Sequence, residues 1–490
     1  MFKNVASIVL VCLLSTTWLS GTSAQQLVPL PVSEELRTGF ESISAEQSNQ
    51  WLNVLASPAF EGRGTGQVGY AKAAHWVAGK CAEYGLEPMG TGGSYFQMLP
   101  MSRNVADLEE SKIEGPNGLV ISGPGKLGFQ RFTEQPMVSG SVVFVSVATE
   151  EPQLPADVSL RDKIVVLKSE VASDFRTQVM LARAQPAGVV TVVKGVPDNI
   201  AEVTRGRNRS AGIWSSINED TAQTLVEALG ADPTWLQPSS EKGVVVNESD
   251  AKLTISVRLR EEKLFVPNVV AWLEGSDPNL RHEHIVLGAH LDHLGVRGSE
   301  IYNGADDNGS GSTAILNVAR AMGLNSVRPK RSVMFIWFAA EEIGLVGSRH
   351  YVDNPTQPLE NIVCMINCDM VGRDEETRTE TAESNVNTVH LVGSKRGQTA
   401  LHDLIIDANQ HVNLEFKYGQ EGVFGRSDQA SFYQKGIPVA FFFSGFHPDY
   451  HQPSDEPELI NYEKIASVAR LCYLTIFKID EYGRIKLSAE

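Results

Sequence analysis

The sequence predicts an α/β protein whose main sheet is mixed but mostly parallel and is sandwiched by helices. Beyond residue 260, apolar runs alternate with glycine-rich loops and helical stretches. Nearly continuous apolar runs are typical of strands buried on both faces of a sheet. The chain has 490 residues, which exceeds a usual single core, so two or three domains are expected.

Residues 1–24 predict a secretory signal sequence. Lys3 precedes an apolar run that ends in the small residues Thr22, Ser23 and Ala24. The run is short for a bilayer span, and no later segment is long and apolar enough to form one. We therefore expect a secreted or periplasmic protein without a membrane span.

Composition excludes some classes of partner. Hydrophobic residues make up 42% of the chain and charged residues 21%, which is typical of globular proteins. The formal charge of −17 argues against a nucleic-acid-binding groove and against binding to anionic membranes.

After the signal sequence, four cysteines remain and none forms a C-x-x-C pair. Cys364 and Cys368 lie four residues apart in the apolar run that begins at Ile362, and on an extended strand they are too far apart for a mutual disulfide. Buried thiols are expected, although export leaves a bridge from Cys81 or Cys472 open.

Residues 25–130 are predicted to begin the larger domain. A helix is expected from Gly66 to Gly85, with Tyr70, Ala74 and Val77 on one apolar stripe. The glycine-rich stretch before it lacks the lysine and the spacing of a phosphate-binding loop, and it predicts a turn.

Residues 131–260 predict a separate, small, β-rich domain. Its acidic residues are scattered along the sequence, so no catalytic cluster is expected there. The predicted elements are strands at Ser141–Val145, Lys163–Leu167, Gly188–Val193 and Lys252–Leu259, and a helix at Phe175–Ala184.

Residues 261–490 predict the sheet that carries the functional site. Alternating strands and helices favour a mostly parallel arrangement. The predicted strands are Val266–Leu273, Ile285–Gly288, Val333–Ala340, Ile362–Asn367, Val389–Val392 and Ile437–Phe443, with a helix at Ser312–Met322.

Carboxylates and histidines follow these strands. In open α/β sheets, ligands bind beyond the carboxyl ends of strands. Clustered carboxylates would repel one another without a cation, and His with Asp and Glu is a ligand set of catalytic zinc. Bridging carboxylates can hold two ions about 3.5–4 Å apart. The residues concerned are His290, Asp292, Asp306, Asp307, Glu341, Glu342, Asp369 and His451.

Within this set, spacing predicts some roles and leaves others open. His290 and Asp292 are two residues apart, which suits Asp292 for orienting the His290 ring. The neighbours Glu341 and Glu342 can divide the roles of metal ligand and proton acceptor. The residue pattern alone does not decide which glutamate has which role.

These residues stand in motifs that resemble the M28 family of zinc aminopeptidases. The motifs cover most of residues 261–490, and Phe60–Gly66 with the following helix resembles the start of the same peptidase domain. Residues 131–260 more loosely resemble a protease-associated (PA) domain. The motifs are Gly288–Asp292, Gly304–Gly311, Ala340–Ser348, Asn367–Met370 and Asp449–His451.

The resemblance implies a zinc exopeptidase fold, peptide substrates and two zinc ions per chain. It implies a metal-activated water with Glu341 as general base, Tyr450 as a donor to the oxyanion and Asp292 in support. A cis peptide commonly follows the bridging ligand in such enzymes. The implied metal ligands are His290, Asp307, Glu342, Asp369 and His451, with Asp307 bridging.

Alternative functions on related folds remain open. A glutaminyl-cyclase-like transferase would use one zinc ion, and a carboxypeptidase would act on acidic dipeptides. A non-enzymatic, receptor-like module would lose ligands and the glutamate pair, which this chain retains. Many relatives have Ser-Asp-His where this chain has Ser427-Asp-Gln429, a departure expected to alter the substrate pocket and not the metals.

Overall fold

The computed structural model describes residues 28–131, 136–149, 151–169, 175–196, 212–237, 243–297 and 300–487. The predicted signal sequence lies outside the described residues. The chain forms two compact units. The first combines Met1–Leu99 with Val266–Glu490, and the second is Pro100–Phe265.

The helices are α1 (Glu34–Ser42), α2 (Ala45–Leu55), α3 (Val68–Glu83), α4 (Phe175–Ala184), α5 (Glu219–Ala228), α6 (Gly311–Leu324), α7 (Val346–Asp353), α8 (Ala400–Asn409), α9 (Gln429–Tyr433) and α10 (Tyr462–Tyr482). The strands up to residue 263 are β1 (Glu87–Pro88), β2 (Phe96–Met98), β3 (Ser102–Ala106), β4 (Lys112–Glu114), β5 (Val120–Ser122), β6 (Leu127–Arg131), β7 (Met137–Val147), β8 (Ile164–Ser169), β9 (Gly188–Val193), β10 (Ile213–Asn218), β11 (Val244–Ser256) and β12 (Leu259–Lys263). The later strands are β13 (Pro267–Leu273), β14 (His284–His290), β15 (Gly295–Arg297), β16 (Glu300–Tyr302), β17 (Ser332–Phe338), β18 (Ile362–Cys368), β19 (Thr388–Val392), β20 (Glu415–Lys417) and β21 (Val439–Phe443).

The first unit is built on a nine-stranded mixed sheet with the order β1-β13-β17-β14-β18-β21-β19-β20, in which β2 also pairs with β13. Strands β17, β14, β18 and β21 run parallel to one another. Strand β13 is antiparallel to β17, and β19 is antiparallel to β21. The predicted mixed, mostly parallel sheet is confirmed.

The central strands are covered on both faces. Successive side chains of a strand point to opposite faces, and all seven residues of β14, β17 and β18 are buried. Helix α6 packs against β14 and β18, and α10 packs on α6 and α8. These layers leave the ends of the parallel strands as the place where polar side chains can gather.

Helix α3 confirms the predicted amphipathic helix. Its buried side includes Tyr70, Ala74, Val77 and Cys81. The helix ends before Gly85, which has φ +75°, a left-handed conformation that favours glycine. The preceding segment turns sharply at Glu61 and Gly62, which also have positive φ, so the predicted turn is present.

The second unit contains an eight-stranded sheet with the order β5-β4-β11-β7-β8-β9-β10-β6. Apolar side chains alternate between two cores, with Val142 and Phe144 of β7 in one and Val143 and Val145 in the other. The sheet therefore buries both faces within its own unit.

The unit boundaries differ from the division at residues 131 and 260. Strands β3, β4 and β6 belong to the second unit because they pair with later strands of that unit, which are β12, β11 and β10. Strand β5 joins the same sheet by pairing with its neighbour β4. These short strands give weak signals in the sequence, and the partners of β3, β4 and β6 lie far away along the chain.

Cys81, Cys364, Cys368 and Cys472 are buried free thiols. The sulfur atoms of Cys368 and Cys472 lie 3.7 Å apart. Among the described residues, no helix combines the length and apolar character that a bilayer crossing requires.

Candidate metal centre and active site

Three neighbouring parallel strands deliver polar side chains to one edge of the sheet. β14 ends at His290, β17 is followed by Glu341 and Glu342, and β18 is followed by Asp369. Because His290 lies opposite Phe338 and Gly288 lies opposite Asn367, the three strand ends are level. The strand ends thus converge, as the sequence predicts.

A first group of ligand atoms surrounds His290. Its Nε2 lies 3.2 Å from Oδ1 of Asp369, 3.3 Å from Oδ1 of Asp307 and 3.9 Å from Oε2 of Glu341. The Nδ1–H of His290 donates to the backbone carbonyl of Asp292 at 3.0 Å. This hydrogen bond leaves the neutral ring with its Nε2 lone pair directed at the carboxylates.

A second group surrounds His451. Its Nε2 lies 3.0 Å from Oδ2 of Asp307 and 3.3 Å from Oε2 of Glu342. His293 approaches the same carboxylates, with Nδ1 2.8 Å from Oε1 of Glu342 and 3.7 Å from Oδ2 of Asp307. Each oxygen of Glu342 therefore contacts a different imidazole.

Asp307 connects the two groups, since Oδ1 faces His290 and Oδ2 faces His451. Its neighbour Asp306 points elsewhere: Oδ1 accepts from Gly372 N at 2.7 Å, and Oδ2 lies 3.3 Å from Nε2 of His447. The peptide between Asp307 and Asn308 is cis, as the resemblance implied. Of the two candidate aspartates, Asp307 is thus the one inside the cluster.

The Asp307 loop is anchored from behind by Asp455. The Asp455 carboxylate accepts from the backbone N–H groups of Asp306 and Asp307 at 3.1 Å. Burial and the negative charge of Asp306 raise the pKa of Asp455 to about 6. These hydrogen bonds fix the backbone that carries the bridging carboxylate.

Asp292 supports the cluster differently from the sequence expectation. Its carboxylate lies 3.9 Å from Nδ1 of His290, beyond hydrogen-bond distance, and its backbone carbonyl orients the ring instead. The carboxylate accepts from the backbone N–H groups of Glu341 (3.0 Å) and Glu342 (3.4 Å), and from Oγ1 of Thr65 at 2.7 Å. Asp292 thereby holds the turn that presents both glutamates.

Arg63 is a fully buried cation under the same loops. Its guanidinium donates to the carbonyls of Leu55, Leu291, Asn303 and Gly304 at 2.7–2.9 Å. Burial lowers its pKa to about 10, so the group is charged at neutral pH. Arg63 thus ties the end of β14 to the loop that leads to Asp307.

The electrostatics of the cluster reflect several carboxylates that are buried close together. Burial alone would lower the pKa of His451, but its contacts with Asp307 and Glu342 raise it to about 9. Burial and nearby carboxylates hold the pKa of Glu341 well above its usual range. Burial raises the pKa of Asp428, which is fully buried, to about 7. Such carboxylate-rich, buried surroundings favour a bound cation.

The donor atoms fit zinc in chemistry and spacing. Four-coordinate zinc with ligand bonds of about 2.0–2.1 Å holds its ligand atoms about 3.3–3.4 Å apart. The contacts from His290 to Asp307 and Asp369, and from His451 to Asp307 and Glu342, measure 3.0–3.3 Å. Two groups of this kind that share Asp307 suit two ions.

A cleft with apolar and aromatic walls opens onto the cluster. It is lined by Met370, Val423, Phe441, Phe443, Phe446 and Tyr450, together with Arg426 and Ser427. The Tyr450 ring stacks on His451, with centroids 3.9 Å apart and 22° between the planes. Gln429 lies behind this wall, where its side chain contacts Asn367 and the Phe424 carbonyl.

Sequence reasoning missed His293, Arg63 and Asp455. His293 stands directly after Asp292, so its position beside a predicted site was the available signal. Arg63 lies more than 200 residues from the carbonyls of Leu291, Asn303 and Gly304 to which it donates. Asp455 lies in a loop beyond the last predicted strand. Their roles depend on tertiary contacts that no local pattern encodes.

The part of the chain that carries this site matches a known protein family. Residues 268–476 match the model of "Peptidase family M28". The chain carries a peptidase family M28 domain. The matched range begins in β13, ends in α10 and contains all the predicted metal ligands.

Two curated relatives are similar to part of this chain. Aminopeptidase YwaD of Bacillus subtilis (strain 168) is 31% identical over 208 residues, which cover 41% of this chain and 42% of the relative. Leucine aminopeptidase 2 of Trichophyton equinum is 26% identical over 302 residues, 61% of this chain and 53% of the relative. The chain thus spans about half the length of these relatives or less. An aminopeptidase from Aneurinibacillus sp. strain AM-1 aligns in structure with a TM-score of 0.49 and 19% identity, over 90% of this chain and 95% of that one.

Proposed function

We propose that the protein is a zinc metallo-aminopeptidase that removes N-terminal residues from peptides, with two ions per chain. The observation that carries the proposal is Asp307, whose two carboxylate oxygens face two separate imidazoles, 3.3 Å from His290 and 3.0 Å from His451. Two-metal sites are an established feature of aminopeptidases as a class. The M28 domain and the similarity to two aminopeptidases support the same reaction.

In this proposal, His290 and Asp369 would hold one ion, Glu342 and His451 would hold the other, and Asp307 would bind both. When bound, zinc lowers the pKa of water and polarises a carbonyl group. The carboxylates outnumber the imidazoles in the cluster, which supports binding of divalent cations. The same negative charge suits the positively charged N-terminus of a peptide.

Glu341 is proposed to accept the proton of the attacking water and to pass it to the leaving amine. Its Oε2 is 3.9 Å from Nε2 of His290, farther than the oxygens of Asp307 and Asp369, so it stands beside the ligands. Burial, which raises its pKa, makes it a stronger proton acceptor. The backbone of Glu341 is held by Asp292, which acts as a positioning residue.

Tyr450 is proposed to donate a hydrogen bond to the substrate oxygen as that oxygen becomes negative. Its ring lines the same cleft as His290, Glu341 and Asp369. Stacking on His451 limits the positions that the hydroxyl can take.

We further propose that the protein is exported and that its second unit is a PA-like domain without catalytic groups. Export rests on the signal-like residues 1–24, and N-terminal sequencing of the mature protein tests it. A mature chain that still began at Met1 would contradict export.

The reaction is tested with chromogenic aminoacyl substrates, each in a free and an N-acetylated form. We expect hydrolysis of the free forms only, loss of activity after treatment with a chelator, and recovery on addition of zinc. Equal turnover of the blocked substrates would contradict an aminopeptidase, and activity that resists the chelator would contradict a metal-dependent reaction. Cyclisation of N-terminal glutamine without peptide cleavage would favour the transferase alternative.

A further inference from the structure

Arg426 occupies a singular position in the cleft. It ends the turn Glu421–Arg426, is exposed to solvent, and is the one Lys or Arg side chain among the described residues that line the cleft. None of the metal-ligand contacts described above involves it. The Arg426 guanidinium lines the cleft beside a carboxylate-rich cluster, and its hydrogen-bond partner lies elsewhere in the cleft wall.

That partner is the aromatic wall around Tyr450. Nη2 of Arg426 donates to the phenol oxygen of Tyr450 at 3.2 Å, and Cζ of Arg426 lies 5.3 Å from the centroid of the Phe446 ring. Phe446 contacts Tyr450 edge to face, at 5.1 Å and 67°. The Tyr450 ring also stacks on His451, so these two contacts hold the ring while its hydroxyl proton can still rotate.

The chemistry of the guanidinium decides where that proton can go. A guanidinium has donors and no acceptor, so the phenol oxygen must accept from Arg426. The Tyr450 proton therefore stays available, and no acceptor for it lies within hydrogen-bond distance among the described residues. A donor that is charged also strengthens the hydrogen bond that the phenol can give in turn.

We infer that Arg426 is a positioning residue that keeps the Tyr450 hydroxyl proton free for donation to the oxygen of the scissile carbonyl. The inference rests on the proposed function and deepens it, because it assigns to Arg426 an effect on turnover that is larger than any effect on substrate binding. The competing role for an exposed arginine in this cleft is binding the terminal carboxylate of a short peptide.

The test compares Arg426→Met, Arg426→Lys, Tyr450→Phe and the double variant Arg426→Met/Tyr450→Phe on one tripeptide in its acid and amide forms. Removing an oxyanion donor lowers kcat about 100-fold, which is expected for Tyr450→Phe. Arg426→Met should lower kcat about 10-fold on both forms with KM nearly unchanged, since one charge-assisted hydrogen bond is lost. Lysine also supplies donors, so Arg426→Lys should stay within about threefold of wild type.

The double variant gives the sharpest expectation. If Arg426 acts through Tyr450, Arg426→Met should produce no further fall in kcat in the Tyr450→Phe background. Affinity for an aminoalkyl phosphonic acid, a mimic of the tetrahedral intermediate, should fall with kcat, while affinity for the product amino acid stays constant. Arg396→Met is the matched control, because Arg396 is partly exposed and lies over an aromatic ring, that of Phe424, outside the cleft lining.

Two results would overturn the inference. Additive losses in the double variant would show that Arg426 acts independently of Tyr450. A rise in KM for the peptide acid alone, with the amide unaffected, would identify Arg426 as a carboxylate-binding residue. Both results require a wild-type protein that cleaves the peptides. Failure of the proposed function would differ, because the wild type itself would then cleave neither peptide.

Discussion

The adjacent residues Glu341 and Glu342 provide a matched pair of perturbations with opposite expected outcomes. Glu341→Gln and Glu342→Gln change the same atoms at neighbouring positions and keep the side-chain shape. One should remove a proton acceptor and the other a metal ligand. Any difference in zinc content or activity between the two variants therefore arises from the position of the residue and not from the type of substitution.

The contacts of Glu342 set the size of its effect. Its oxygens lie 2.8 Å from Nδ1 of His293 and 3.3 Å from Nε2 of His451. In the amide one oxygen becomes a donor that cannot bind a cation, so zinc affinity should fall by more than the roughly 10–100-fold typical of losing an outer hydrogen-bond partner. Activity should fall with metal content and return in part at high zinc concentration.

Glu341 should behave in the opposite way. Its nearest imidazole nitrogen among the ligands, that of His290, is 3.9 Å away, so the amide should leave the metals in place. Losing a general base lowers the rate about 10²- to 10⁴-fold, which corresponds to about 2.7–5.4 kcal/mol of activation free energy. Excess zinc should not restore it.

The assay measures zinc per chain by mass spectrometry after dialysis at fixed free zinc, and kcat on the best aminoacyl substrate. Loss of zinc from the Glu341 variant with retention in the Glu342 variant would refute the reasoning and exchange the two roles.

Three further predictions concern residues around the centre. His293→Leu should weaken zinc binding about 10–100-fold, whereas His293→Asn should retain most of it through a donor placed like Nδ1. His284→Asn, at the start of β14, is the control because His284 is also a buried histidine. Equal binding by all three variants would contradict a role for His293. Arg63→Met should lower the free energy of unfolding by about 4 kcal/mol, because four buried carbonyls lose their donor. Arg37→Met, on the surface, is the control and should change the free energy of unfolding by less than about 0.5 kcal/mol. Denaturant titrations measure both, and similar values for the two variants would refute this role of Arg63. Alanine at Asp220 or Glu248 of the second unit should leave zinc content unchanged, and a loss of metal there would contradict the absence of catalytic groups from that unit.

The sequence predicted the sheet and the convergence of the cluster because both follow from local patterns. The apolar runs that become β14, β17 and β18 are continuous, and His290, Glu341, Glu342 and Asp369 come directly after them. Parallel pairing then brings these residues together without any further information.

Other features could not be read because they depend on contacts between distant segments. The carboxylate of Asp292 caps the Glu341 and Glu342 amides, and only the folded turn reveals this. The second unit begins at Pro100 and not at residue 131, because short strands pair with partners more than 100 residues away. The spacing of residues in the sequence does not predict such pairings.

The most direct test of a dinuclear centre is the zinc content of the freshly purified, mature wild-type protein, measured together with its activity. A bridging Asp307 predicts about two zinc ions per chain at full activity, with activity falling as either ion is removed. A stable, fully active protein with a single ion per chain would contradict the bridged site and favour the one-zinc transferase alternative.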